Sequence, residues 1–150
     1  MDGAVTFTAG HRASFTKTIG DADVTGFAAI TGDVNPLHVD ADFAGRSRFG
    51  GRIAHGILTA GLISTVIGMQ LPGPGGIYVS QTLNFLKPVR IGDTITAAAE
   101  VLSYDAARRR LRLRTTCVNQ RDETVLEGEA VVLVDPPERP TLQGRPASNS

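Results

Sequence analysis

Asp33 and His38 lie five residues apart on either side of Pro36, in the run Gly32-Asp33-Val34-Asn35-Pro36-Leu37-His38. A carboxylate and an imidazole placed around a proline loop can share one water and hand protons over, because imidazole titrates close to neutral pH. The same residues have a plainer use. Asp33 can cap backbone amides beyond a helix end, and His38 can be a satisfied polar side chain. Composition alone favours the plainer use. His55-Gly56 opens a long apolar stretch. The first amides of a helix are unpaired and lie at its positive end, and a glycine there lets a carbonyl oxygen approach. Backbone alone then makes an oxyanion site; a glycine at a crowded helix start is an equal reading.

Other chemistries are weaker. Asp33, His38 and His55 could offer a metal two imidazoles and a carboxylate, but their spacing matches no standard zinc pattern, and no metal is expected. Gly73, Gly75 and Gly76 follow a helix rather than precede one and lack a Gly-Lys-Ser/Thr, so they are not read as a phosphate loop. Ser64 has no base near it in sequence. It suits the lining of a site better than nucleophilic attack. The single cysteine, Cys117, has apolar neighbours and reads as an inert core thiol.

The elements that must position these residues follow from periodicity. Alternation from Arg12 to Ile19 predicts a strand. Asp21 is the expected N-cap of a helix carrying Val24, Phe27, Ala28 and Thr31, with Gly32 as its left-handed stop. Asp33 then sits on a loop. Pro36 biases Asn35 toward extended backbone and keeps the helix from running on. Asp40 can cap a short turn over Ala41 to Ala44, and Gly45 to Gly51 reads as loop. Gly56 to Gln70 is apolar nearly all round, which predicts a helix wrapped on most sides. Pro72 to Gly76 end it. Strands are expected over Ile77 to Phe85, Ile95 to Val101, Leu111 to Cys117 and Val125 to Val134, joined by hairpin-length turns into an antiparallel meander. An α+β fold follows, with an antiparallel sheet curled around a long central helix. An exposed edge strand would invite a second copy, so a homodimer with a continuous sheet is expected.

The 150 residues carry 15 basic and 15 acidic side chains, so no broad field points to nucleic acid or an anionic membrane. Arg108, Arg109, Arg110, Arg112 and Arg114 are the one basic cluster, read as a solvated strand face. One cysteine excludes an intrachain disulfide and fits a reducing compartment. The first residues lack the pattern of a signal peptide, and Gly56 to Leu71 is shorter than the roughly 20 residues of a membrane span. A cytoplasmic protein is expected, with one domain over residues 1–135 and a disordered proline-rich tail over 136–150.

Gly32 to Asp40, followed by Phe49-Gly50 and Ile53-Ala54-His55-Gly56-Ile57-Leu58, resembles the hydratase motif of the R-specific enoyl-CoA hydratases, the MaoC-like dehydratases. The resemblance runs from Phe15 to Val134. It implies the hot-dog fold, usually dimeric, and reversible hydration of trans-2-enoyl-CoA to (R)-3-hydroxyacyl-CoA. Asp33 and His38 match the family's catalytic pair. Asn35 matches the residue that helps hold that loop, and Gly56 the helix-start amide that binds the thioester carbonyl. Ser64 aligns with a further site residue. No cofactor is expected. An acyl-carrier-protein thioester remains an alternative substrate. Two rivals, a thioesterase and a non-catalytic acyl-thioester-binding protein, fit less well: Ile57 to Gln70 contains no Asp or Glu, and no output module is legible.

Overall fold

The computed structural model describes residues 6–135. The tail expected at 136–150 lies outside them. Strand β1 (Arg12–Thr18) alternates exposed and half-buried positions. Helix α1 (Asp21–Thr31) follows, and its cap differs from the expected one. Gly20 is the N-cap; the Asp23 carboxylate reaches back to accept from the Gly20 N–H at 2.8 Å. Asp21 is the first helical residue and pairs instead with Arg52 at 2.7 Å. Gly32 closes the helix as predicted, at φ 79°, its N–H donating to the Ala28 carbonyl. Pro36 then starts a one-turn helix that sequence alone did not suggest, α2 (Pro36–Val39), since proline suits a first helical position. Asp40 caps α3 (Ala41–Gly45) through hydrogen bonds from the Asp42 and Phe43 amides, both 3.0 Å.

Helix α4 (Gly56–Met69) is the long one, followed by β2 (Gly76–Gln81), β3 (Asn84–Phe85), β4 (Thr94–Asp105), β5 (Arg110–Val118) and β6 (Thr124–Val134). All pairings are antiparallel, and the sheet order is β1-β4-β5-β6-β2, with β3 also on β6. The expected meander therefore holds for β4 to β6 only; β1 and β2 flank it, and the helices lie between them in sequence. The single strand expected over Ile77 to Phe85 is broken into β2 and β3. Its register slips between Tyr78 and Ser80, and the Thr82 backbone crosses close over β6, where a Cβ on Gly128 would lie 1.8 Å from the Thr82 carbonyl oxygen. Only glycine fits there.

Leu62, Ile63, Val66 and Ile67 of α4 pack on Ile95, Ala97, Ala99 and Val101 of β4 and on Leu111 and Leu113 of β5. The alanines let the helix sit close, and each fully buried Leu or Ile contributes about 1.5–3 kcal/mol. This is the hot-dog arrangement. One expectation fails among the described residues: they cover α4 on one face only. Ile57, Gly61, Ser64, Gly68 and Met69 form an exposed stripe, with Ile57 at 56% and Met69 at 69%. Apolar residues all round a helix signal burial but do not say whether the cover comes from the same chain. Among the described residues no helix is long and apolar enough to cross a membrane.

Cys117 is fully buried in this core, and burial pushes its thiol up to about 12. The folded protein is therefore expected to resist a thiol reagent at pH 8 and to be labelled fully once unfolded in guanidinium. Rapid labelling of the folded chain would contradict the packing of β5 against α4.

Candidate active site

The loop after α1 and the start of α4 bring three side chains together. One carboxylate oxygen of Asp33 and one ring nitrogen each of His38 and His55 lie within 4.8 Å of one another. A water hydrogen-bonded at about 2.8 Å to two partners spans such a gap. Asp33 is exposed, His38 half-buried and His55 only 2% exposed. The loop is held by its own side chains. Asp33 Oδ1 accepts from the Asn35 N–H at 3.2 Å, and Asn35 Oδ1 accepts from the Leu37 N–H at 3.0 Å. Asn35 thus caps α2, which carries His38.

His38 Nδ1 lies 2.8 Å from the Ile53 carbonyl oxygen. Only an N–H can face that oxygen favourably, so in the neutral ring Nδ1 carries the proton and Nε2 presents its lone pair. Arg52 Nε donates to the His38 carbonyl at 2.6 Å, while its NH1 meets Asp21. Arg52 thereby ties the His38 backbone to the beginning of α1. Local pattern gives no signal of this, because Arg52 is 14 residues from His38 and has no motif around it.

The His55 ring stacks on the His38 ring, centroids 3.9 Å apart and planes 32° apart. Such stacking keeps the in-plane lone pairs of the two rings in separate, roughly aligned planes. It does not aim them at one ion at the roughly 2.0–2.1 Å that zinc requires. The cluster fits a water held between Asp33 and His38 better than a metal.

Gly56 begins α4 next to His55, where amides have no intrahelical partner. A Cβ at Gly56 would lie 2.5 Å from Cε1 of the Phe85 ring, so the crowded-start reading has a physical basis. A cavity of about 420 Å³ opens beside Gly56, lined by Ile57, Thr59, Phe85, Val125 and Leu126, with Arg48 and Lys87 also on its wall. That volume falls within the usual range for small-molecule sites, roughly 300–1,000 Å³. Thr59 Oγ1 and His55 Nδ1, one helical turn apart, are buried without a partner among the described residues. Ser64 is not brought to the cluster. It lies two turns along α4 on the exposed stripe, in a second groove with Tyr78 to Gln81. The arginine cluster is also elsewhere, on β5 and its turn, where Arg112 pairs with Glu129 and Arg109 with Asp135.

The family described as "MaoC like domain" matches residues 5–124. A 3-hydroxybutyryl-CoA dehydratase of Methylorubrum extorquens is 58% identical over 118 residues, covering 79% of this chain and 74% of that one. An (R)-specific enoyl-CoA hydratase of Rhodospirillum rubrum is 49% identical over 125 residues, covering 83% and 86%. Among solved structures, the (R)-hydratase from Aeromonas caviae involved in PHA biosynthesis superposes with a TM-score of 0.84 at 40% identity. It covers 87% of this chain and 98% of its own.

Proposed function

This chain belongs to the MaoC-like domain family, and we propose that it hydrates trans-2-enoyl-CoA reversibly to (R)-3-hydroxyacyl-CoA through Asp33 and His38. It is a lyase of the hydratase and dehydratase type, as its relatives are. The observation that carries the assignment of residues is the approach of the Asp33 carboxylate and the His38 ring beside the amino end of α4. A water between them donates one hydrogen to each acceptor and keeps an oxygen lone pair for the β carbon. One of the two takes the water proton, and the pair returns a proton to the α carbon. The enolate-like thioester oxygen meets the Gly56 N–H, a type of donor whose loss typically costs about 3 kcal/mol of barrier. Asn35 holds the loop. The apolar cavity beside Gly56 suits an acyl thioester, and Arg48 on its wall suits the phosphorylated arm.

Added crotonyl-CoA is expected to lose its conjugated enoyl absorbance without release of free CoA. Release of CoA in step with that loss would mean thioester hydrolysis instead. The same assay with the crotonyl thioester of acyl carrier protein decides the carrier.

The second half of the proposal is a homodimer. Its support is the apolar surface one chain leaves open: Ile77 and Val79 on edge strand β2, each about half exposed, beside the α4 stripe. An unpaired strand edge next to a bare apolar helix face is the surface a second copy covers. Among the described residues nothing lies within 4 Å of a Cβ built at Gly61, so Gly61→Arg leaves the single chain room to fold. By light scattering the natural protein is expected at twice the mass of one chain and Gly61→Arg at the single mass. A dimeric Gly61→Arg would place the interface elsewhere.

A further inference from the structure

The His55 imidazole is not used by the proposed reaction, yet it touches the backbone of Asp33 and the ring of His38. Its Nε2 lies 2.9 Å from the backbone carbonyl of Asp33, and its ring face covers that of His38 at 3.9 Å. Phe27 of α1 packs on it at 4.6 Å between centroids. Nε2 faces a carbonyl, so it carries the proton, which leaves Nδ1 as a bare acceptor. That acceptor is buried and has no partner among the described residues. A buried acceptor left unpaired is costly, and a leucine or phenylalanine would fill the same space without it. The imidazole is therefore there for what its other nitrogen and its ring face do.

We propose that His55 is a positioning residue: its N–H fixes the Asp33 backbone where α1 ends, and its ring sets the plane of the His38 imidazole. The inference rests on the reading of Asp33 and His38 as the pair that holds water. Three contacts then define the His38 ring. The Ile53 carbonyl holds Nδ1, Arg52 holds the His38 carbonyl, and His55 closes one face of the ring. Rotation of the ring would swing the Nε2 lone pair away from the water. The His55 contact blocks it by packing one ring face against the other. His55 itself is anchored by being the N-cap of α4, so the rigid central helix sets the geometry of a loop 22 residues earlier in the chain.

Three substitutions separate the two contacts. His55→Gln keeps an amide N–H near the Nε2 position and loses the ring; His55→Phe keeps the ring and loses the N–H; His55→Ala loses both. With crotonyl-CoA, His55→Ala is expected to lower kcat about 100-fold with KM changed less than about threefold, the signature of lost transition-state geometry rather than lost binding. His55→Gln and His55→Phe are each expected to recover about tenfold of that loss, with melting temperatures close to that of the natural protein. Three outcomes overturn the proposal: a kcat for His55→Ala near that of the natural protein, Gln and Phe variants no better than alanine, or losses in kcat that track losses in melting temperature. If the alanine variant does not fold, the Gln and Phe variants decide alone, since each must then lie between the natural rate and a loss of about 100-fold. A natural protein inactive on any enoyl thioester would instead sink the hydratase reading, a result distinct from all of these.

Discussion

Asp33→Asn is expected to lower kcat on crotonyl-CoA about 1,000-fold, equivalent to about 4 kcal/mol of barrier, with no measurable change in fold. The substitution is nearly isosteric. An asparagine oxygen still accepts from the Asn35 N–H, the contact that Asp33 Oδ1 makes at 3.2 Å. The carbonyl that His55 reaches is backbone and is untouched. Asp33 is exposed, so removing its charge relieves or creates no buried ion. What disappears is a carboxylate beside the water. If Asp33 only caps the loop, Asp33→Asn should turn over at nearly the natural rate, because the amide caps equally well. The two readings of this residue that sequence alone left open thus give results about three orders of magnitude apart.

The second large effect is expected at His38. His38→Ala removes the lone pair at Nε2 and should also lower kcat about 1,000-fold. It additionally uncovers the buried ring of His55 and leaves the Ile53 carbonyl without its donor, so some loss of stability is expected from packing alone. His38→Asn separates these effects, because an asparagine amide can occupy the Nδ1 position and donate to Ile53 while offering nothing at Nε2. Its turnover is expected to match that of His38→Ala, with stability nearer the natural protein. A His38→Asn variant that restores turnover would mean His38 acts through the Ile53 contact and not as a proton carrier.

The parts of this molecule that depend on nearest neighbours were legible in its sequence. Gly32 ends α1 in the left-handed conformation because no other residue adopts it freely, and Asp40 caps α3 with the side chain suited to that place. The alternation of β5, with Leu111, Leu113, Thr115 and Cys117 inward, is the pattern of a strand with one covered face. The Asn-Pro-Leu-His run, with His-Gly downstream, carried the family and through it the hot-dog fold. Contacts across the chain were not legible. Arg52 to the His38 carbonyl and to Asp21, His55 on His38, and Phe85 over Gly56 all depend on where α4 and β3 come to rest. The break at Thr82 and Leu83 follows from the backbone crossing at Gly128, 46 residues away in sequence, and alternation cannot report that. Uniform apolarity in α4 signalled burial for one face of the helix, but it could not show that a stripe would stay exposed among the described residues.

The account rests on one water held by two side chains on one face of the substrate, and stereochemistry tests that directly. Crotonyl-CoA should be hydrated in D₂O and the product analysed by chiral separation and NMR. The expected product is (R)-3-hydroxybutyryl-CoA with a single deuterium at C2, on the face to which the hydroxyl was added. An S product would overturn the (R)-specific assignment, and deuterium on the opposite face would show that the proton-handling groups stand on two sides of the substrate. Asp33 and His38 could not then both be the ones.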